Sequence, residues 1–408
     1  MFIKLLTFVF TITLIWIANA SVASASIEIA DERATPEYWI ERNPSGDNIL
    51  LNSAQIEQLN AQMRDKDRYA ADLANYPEVL SADRVKALIK IAEGKYLSNL
   101  YLVTGDVQVR YAVTVERGDI RLLPKGLSGD KYDSLQGTAI DPAEAVAVLI
   151  ESADGRYVFV QSRNYVGWLD KSKIAFTDRE TWLTYVNPED FLVVINNKKT
   201  IDVNGKNILF QMGSVIPIVD ASANDDVWIM RLPTSVNGQL EEVNVPIAMY
   251  DESINKGWLA CTENTFIRQA FKFLGDVYGW GGIDNSVDCS AFVGDVYRSM
   301  GIEIPRDANR QEACAPIWAV FNNVSTAERF DIVGRAPSGS LLFKPGHVMM
   351  RLGNDDNGSP LVIHSASSYF SGGRKIYIRK VIVSDLHYKN GSGVETINGL
   401  TGIAFVGN

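Results

Sequence analysis

The stretch VDCSAFVGDVYRSMGIEIPR, residues 287–306, reads as an amphipathic helix running into a loop. Asp288 is a good N-cap, which puts Cys289 at the first helical position, where backbone N–H groups have no intrahelical partner. The partial positive charge of a helix N-terminus favours a thiolate, the reactive form of cysteine. The neighbouring Asp288 carboxylate opposes this unless it turns toward backbone N–H groups or a substrate. A lone cysteine here is more often a small core residue than a nucleophile, so the test is whether a base accompanies it.

The chain has three histidines: His347, His364 and His387. His347 opens the strand-like run HVMMRLG, and His364 lies in LVIHSASS. Residues 353–360 join the two runs, so a hairpin is expected. If Leu352 pairs with Leu361, His364 falls opposite Met349 and His347 opposite Ala366. The two histidines then share a face as diagonal neighbours. A slip of one residue would separate them. His387, in DLHYKN, reads as a solvated loop residue.

These residues need a scaffold. Phe292, Val293, Val296, Tyr297 and Met300 line one face of the Cys289 helix, and Gly301 stops it. An earlier helix carries Phe266, Ile267, Ala270, Phe271 and Leu274, with Gly275 at its end. Helices first and antiparallel strands after (SLLF, HVMMRLG, LVIHSASS, KIYIRKVIV) are an α+β pattern. Residues 106–261 are β-rich, in two sets of short runs separated by Gly and Asp-Gly turns. Gly167-Trp168-Leu169 and Gly257-Trp258-Leu259 mark a weak internal repeat of two small barrels, with Trp168 and Trp258 expected in their cores. Residues 27–105 read as helical: NSAQIEQLNAQM places Ile56, Leu59 and Met63 on one face, and SADRVKALIKIAEG has Ser81 as N-cap and Gly94 at its end.

The chain has 408 residues, enough for two to four domains at roughly 100–200 residues each. With 46% hydrophobic and 22% charged residues the composition is globular. A net charge of −10 and no basic stripe argue against a nucleic-acid partner. The N-terminus, MFIKLLTFVFTITLIWIANASVASA, has Lys4, an apolar run and the small-residue site Ala23-Ser24-Ala25. It reads as a signal peptide for export to the periplasm or exterior, with no stable membrane span after its removal. Three cysteines, Cys261, Cys289 and Cys314, leave at least one thiol unpaired. Cys261 and Cys314 are expected to be buried or paired. No CxxC spacing marks a metal site, and no phosphate-binding loop follows Gly279-Trp280-Gly281-Gly282. No cofactor is expected.

Several separated motifs agree in order. Tyr278-Gly279-Trp280-Gly281-Gly282, Asp288-Cys289-Ser290, Ile304-Pro305-Arg306, Gln311, Gly346-His347-Val348 and Ile363-His364-Ser365 together resemble the NlpC/P60 family of cysteine peptidases. The β repeat resembles bacterial SH3-like domains, and the region of Tyr38-Trp39-Ile40 resembles a helical stabilising segment. The resemblance implies a multidomain chain: signal peptide 1–25, stabilising segment 26–105, SH3-like domains 106–178 and 179–261, and a papain-like α+β catalytic domain 262–408. It implies cleavage of the γ-D-glutamyl–diamino acid bond of peptidoglycan peptides by a monomer. Cys289 would be the nucleophile, His347 the base and His364 its orienting partner. Tyr278 and the Cys289 N–H would bind the oxyanion. Asp288, Ser290 and Arg306 would hold substrate, Asp288 at a free L-Ala amine and Arg306 at a carboxylate. Two departures are visible: sixteen residues separate the histidines, a long gap for the family, and Ala291 stands where Gly is more usual. Two other readings keep part of this pattern: an N-acetylmuramoyl-L-alanine amidase, and a non-catalytic wall-binding protein.

Overall fold

The computed structural model of the chain describes residues 27–219 and 226–407. The signal-peptide reading falls on residues outside that range. Among the described residues no helix is long and apolar enough to cross a membrane.

The C-terminal third is mixed α and β. Six antiparallel strands run in the spatial order Ile317–Val320, Gly402–Ala404, Leu341–Lys344, His347–Asn354, Pro360–Ser371, Arg374–Ser384. Helices Glu263–Phe271 and Cys289–Arg298 cover one face. Phe266, Phe292, Val293, Val296 and Tyr297 there meet Val348, Met350, Ile363 and Val381 from the sheet. The apolar stripe read from the sequence is this buried face. Each fully buried side chain of this size contributes roughly 1.5–3 kcal/mol, so the stripe pins the helix and the thiol at its head. The other face carries Val333 of the Thr326–Arg335 helix, with Leu342, Met349 and Val362.

The preceding β-rich residues form a twelve-stranded sheet, joined across residues 106–178 and 179–261 by one parallel contact, Gln239 with Phe176. The two halves are less alike than the repeat suggested. Trp168 lies in the Val166–Asp170 strand, fully buried. Trp258 does not: the strand ends at Lys256, Gly257 turns at φ +70°, and Trp258 is 39% exposed against Phe191. The turn carries Leu259 to the end of the Cys289–Arg298 helix, where its N–H donates to Ser299 O at 3.0 Å.

The early helices divide between the two bodies. Tyr38, Trp39, Leu59 and Met63 pack into the core of the C-terminal body. Val85, Leu88 and Ile89 of the Ala82–Glu93 helix pack into the β core, and Trp168 Nε1 donates to Glu93 Oε1 at 3.1 Å. Asn52 and Gln55 form the capping box that starts Ser53–Lys66. The β body is also tied to the helix of Cys289 by charge: Arg298 pairs with Glu144, and Arg163 pairs with both Glu144 at 3.1 Å and Glu303 at 2.8 Å.

Candidate active site

Cys289 is the first residue of its helix and is 6% exposed. All three cysteines are free and buried. Asp288 caps the helix, accepting from Ala291 N at 2.8 Å, and also accepts from Gly281 N at 2.9 Å. Gly281 sits at φ +63°, and a Cβ there would lie 2.5 Å from Gln136 Cγ, so glycine admits both the turn and the β domain above it.

Arg306 closes this side. Its two terminal nitrogens grip both Asp288 oxygens, at 3.1 and 2.8 Å. It also donates to Ser290 Oγ at 2.9 Å and, through Nε, to Thr138 Oγ1 at 2.7 Å. Burial opposes ionisation of Asp288, but Arg306 and the two N–H donors outweigh it and hold the carboxyl below its usual range. Asp288 and Arg306 thus hold each other, together with Ser290 and a strand of the β domain.

The other side of the thiol is the hairpin. Met350 pairs with Ile363 and Arg351 with Val362, which sets His364 opposite Met349 as the spacing predicts. The Leu352–Leu361 pairing does not form, because a bulge slips the register and Leu361 pairs with Gly353. The slip lies beyond the histidines and leaves their shared face intact. His347 Nε2 and His364 Nδ1 are 2.8 Å apart, and His364 Nε2 is 3.0 Å from Ser384 Oγ. For His347 to keep Nδ1 free as an acceptor, its Nε2–H must donate to His364, whose Nε2–H then donates to Ser384. Tyr388 stacks on His364, ring centroids 5.8 Å apart. His387 is apart from all this, exposed and near Glu395.

The electrostatics differ from the helix-dipole expectation. Burial, reinforced by Asp288, pushes the Cys289 thiol up to about 12, and the N–H of Val348 only partly offsets this. Burial lowers His364 to about 3 and holds His347 well below its ordinary value, with Lys344 adding to both. A neutral thiol beside a neutral histidine pair suits proton removal during attack rather than a preformed ion pair. Tyr278 lies close enough to Cys289 and Asp288 that, after burial, their charges raise its hydroxyl well above the usual range. Its ring is 6.3 Å from Tyr132 of the β domain, which also faces Trp280 at 6.4 Å. Among the described residues no group of three metal-ligating side chains comes together. Ser384, Tyr388, Thr138 and Tyr132 carried no signal in the sequence, since only the folded sheet brings them here.

A buried thiol at a helix head beside a histidine relay on an antiparallel sheet has the parts of a thiol-dependent acyl hydrolase. Residues 275–369 match the NlpC/P60 family, and residues 125–170 match the SH3 domain (SH3b1 type). The chain thus carries an NlpC/P60 family domain preceded by an SH3 domain. The fold is similar to that of an NlpC/P60 endopeptidase from Photobacterium damselae subsp. piscicida, with TM-score 0.71 and 14% identity over 94% of this chain and 99% of that one. An NlpC/P60 family protein from Bacillus cereus ATCC 10987 gives TM-score 0.51 and 18% identity over 73% of this chain and all of that one. In sequence, the chain is 26% identical over 214 residues to dipeptidyl-peptidase 6 of Lysinibacillus sphaericus, covering 50% of this chain and 73% of the relative. It is 28% identical over 180 residues to gamma-D-glutamyl-L-lysine dipeptidyl-peptidase of Bacillus subtilis (strain 168), covering 42% and 52%.

Proposed function

We propose that this protein is an exported cysteine peptidase that cleaves the γ-D-glutamyl–diamino acid bond of short peptidoglycan peptides. The observation that carries the reading is the 2.8 Å contact between His347 and His364 beside the head of the Cys289 helix. It is supported by the name of the Bacillus subtilis relative, a γ-D-glutamyl-L-lysine dipeptidyl-peptidase.

Cys289 Sγ attacks the γ-carbonyl carbon while His347 Nδ1 takes the thiol proton. The Cys289 N–H and the Tyr278 hydroxyl stabilise the oxyanion. The C–N bond breaks as His347 returns the proton to the departing amine. Water, activated by the same histidine, then hydrolyses the thioester. His364, braced by Ser384, holds His347 in the working tautomer. Asp288, Ser290 and Arg306 shape the pocket for the acyl half, with Asp288 facing a free L-Ala amine.

Short peptides are favoured over polymer because the SH3 domain leans on this pocket: Gln136 Nε2 donates to Gly281 O at 3.1 Å, and Thr138 holds Arg306. In this reading residues 26–105 brace the assembly, and residues 179–261 are a second, divergent SH3-like unit. The test is incubation of the mature protein with L-Ala-γ-D-Glu-diaminopimelate, read by mass spectrometry. Release of L-Ala–D-Glu by the parent and not by Cys289→Ala is expected. Cleavage of intact sacculi alone would overturn the short-peptide assignment. Loss of the lactyl–L-Ala bond instead would make it an amidase, and wall binding without cleavage a non-catalytic protein.

A further inference from the structure

Lys344 ends its strand as the cross-strand partner of His347. Its ammonium lies over the ring of Tyr388, 4.7 Å from the centroid, and that ring stacks on His364. Nζ has two polar contacts, the Tyr388 hydroxyl and Thr396 Oγ1, both neutral and both at 3.4 Å. That is long for a hydrogen bond. No carboxylate among the described residues forms an ion pair with it, whereas Arg306 has Asp288, Arg298 has Glu144 and Lys380 has Glu28. Half-buried charge without a carboxylate partner is costly, and here the cost sits beside the two histidines. Burial draws the ammonium down to about 8, and the nearby Cys289 opposes this.

A tuning role does not account for it. Lys344 does disfavour the charged forms of His347 and His364, but burial is the larger cause at both. Its side of the site has meaning of its own. The Asp288–Arg306 pair faces Thr138 of the SH3 domain, while Lys344 faces Tyr388 and Thr396 beyond the histidines. His347 is the group that returns a proton to the departing amine.

Resting on the proposed function, we infer that Lys344 binds a free carboxylate on the leaving diamino acid and makes this carboxylate a specificity determinant. Two carboxylates have the right chemistry: the distal one of diaminopimelate, and the α-carboxylate of a peptide that ends at this residue.

The experiment measures kcat/KM for L-Ala-γ-D-Glu followed by meso-diaminopimelate, by L-lysine, or by L-lysine amide. The parent, Lys344→Met and Lys344→Arg are compared, with thermal unfolding as a check on folding. In the parent, removing the recognised carboxylate should lower kcat/KM roughly tenfold to a hundredfold, the range of a charge-assisted hydrogen bond. A drop from diaminopimelate to lysine assigns the distal carboxylate; a drop from lysine to its amide assigns the α-carboxylate. Lys344→Met should erase that step and Lys344→Arg should keep part of it. Equal slowing of all three peptides by Lys344→Met, or no step in the parent, overturns the inference. If the parent cleaves none of them, the proposed function fails first. Calorimetric binding of the same three peptides to Cys289→Ala protein, with and without Lys344→Met, then judges Lys344 separately, and a binding ladder that the substitution leaves unmoved overturns it.

Discussion

The two sides of Cys289 handle charge in opposite ways. On one side Asp288 and Arg306 are both ionised, and the pair is met by two backbone N–H groups, Ser290 and Thr138. On the other, His347 and His364 are kept neutral by burial and pass one hydrogen-bond direction down to Ser384. One side stabilises charge by compensation, the other by excluding it. The difference teaches why the thiol itself is not activated at rest. Burial, with Asp288 adding to it, raises its pKa, so under the proposed function the neutral histidine side takes the proton as attack begins.

Four perturbations would break or sharpen this contrast. The largest is Cys289→Ala, which should lower kcat by at least about 10^4-fold if the thiol is the nucleophile both sides serve. Burst-phase detection of the thioester should vanish with it. Next is Arg306→Met. It leaves Asp288 buried without its cation, and urea unfolding should show a loss of about 3–5 kcal/mol. A loss under 1 kcal/mol would mean that the two N–H donors alone hold the carboxylate.

Ser384→Ala probes the neutral side. It orphans one ring nitrogen of a histidine that is 1% exposed, at a cost of about 1–3 kcal/mol. The expected effect is a fall in kcat of roughly tenfold with little change in KM, because the serine orients and does not touch substrate. A change confined to KM would refute the relay.

The mildest test is pH. Both histidines have folded values below the ordinary 6.5, so kcat/KM should stay near its neutral value as pH falls through 6.5. For stability the sign follows from proton counting. Below 6.5 the unfolded chain binds protons that the folded His364 refuses until about 3, so stability is full above 6.5 and declines between those values. An acid limb at or above pH 6.5 would show that burial does not depress the histidines.

Much of this site was legible in the chain. Asp288 as cap, Cys289 at the helix head and the buried stripe from Phe292 to Met300 follow from helical period and capping chemistry, which act over a few residues. The shared face of His347 and His364 followed from a hairpin register, and survived a bulge because the bulge lies on the turn side of both. The Gly-Trp-Leu repeat misled: identical tripeptides served a buried strand in one place and an exposed turn in the other. Local sequence sets the propensity to be a strand, but not which neighbour a strand must reach next.

The sequence by itself determined the order of the parts and the placement of a thiol on a helix cap and two histidines on one hairpin, because those depend on contacts a few residues apart. Only the tertiary structure decided which groups are charged. Ser384 beneath His364, Thr138 on Arg306 and Lys344 beside His347 come from separate strands, and it is their packing that excludes water. The balance of desolvation against partners exists only once those strands have met.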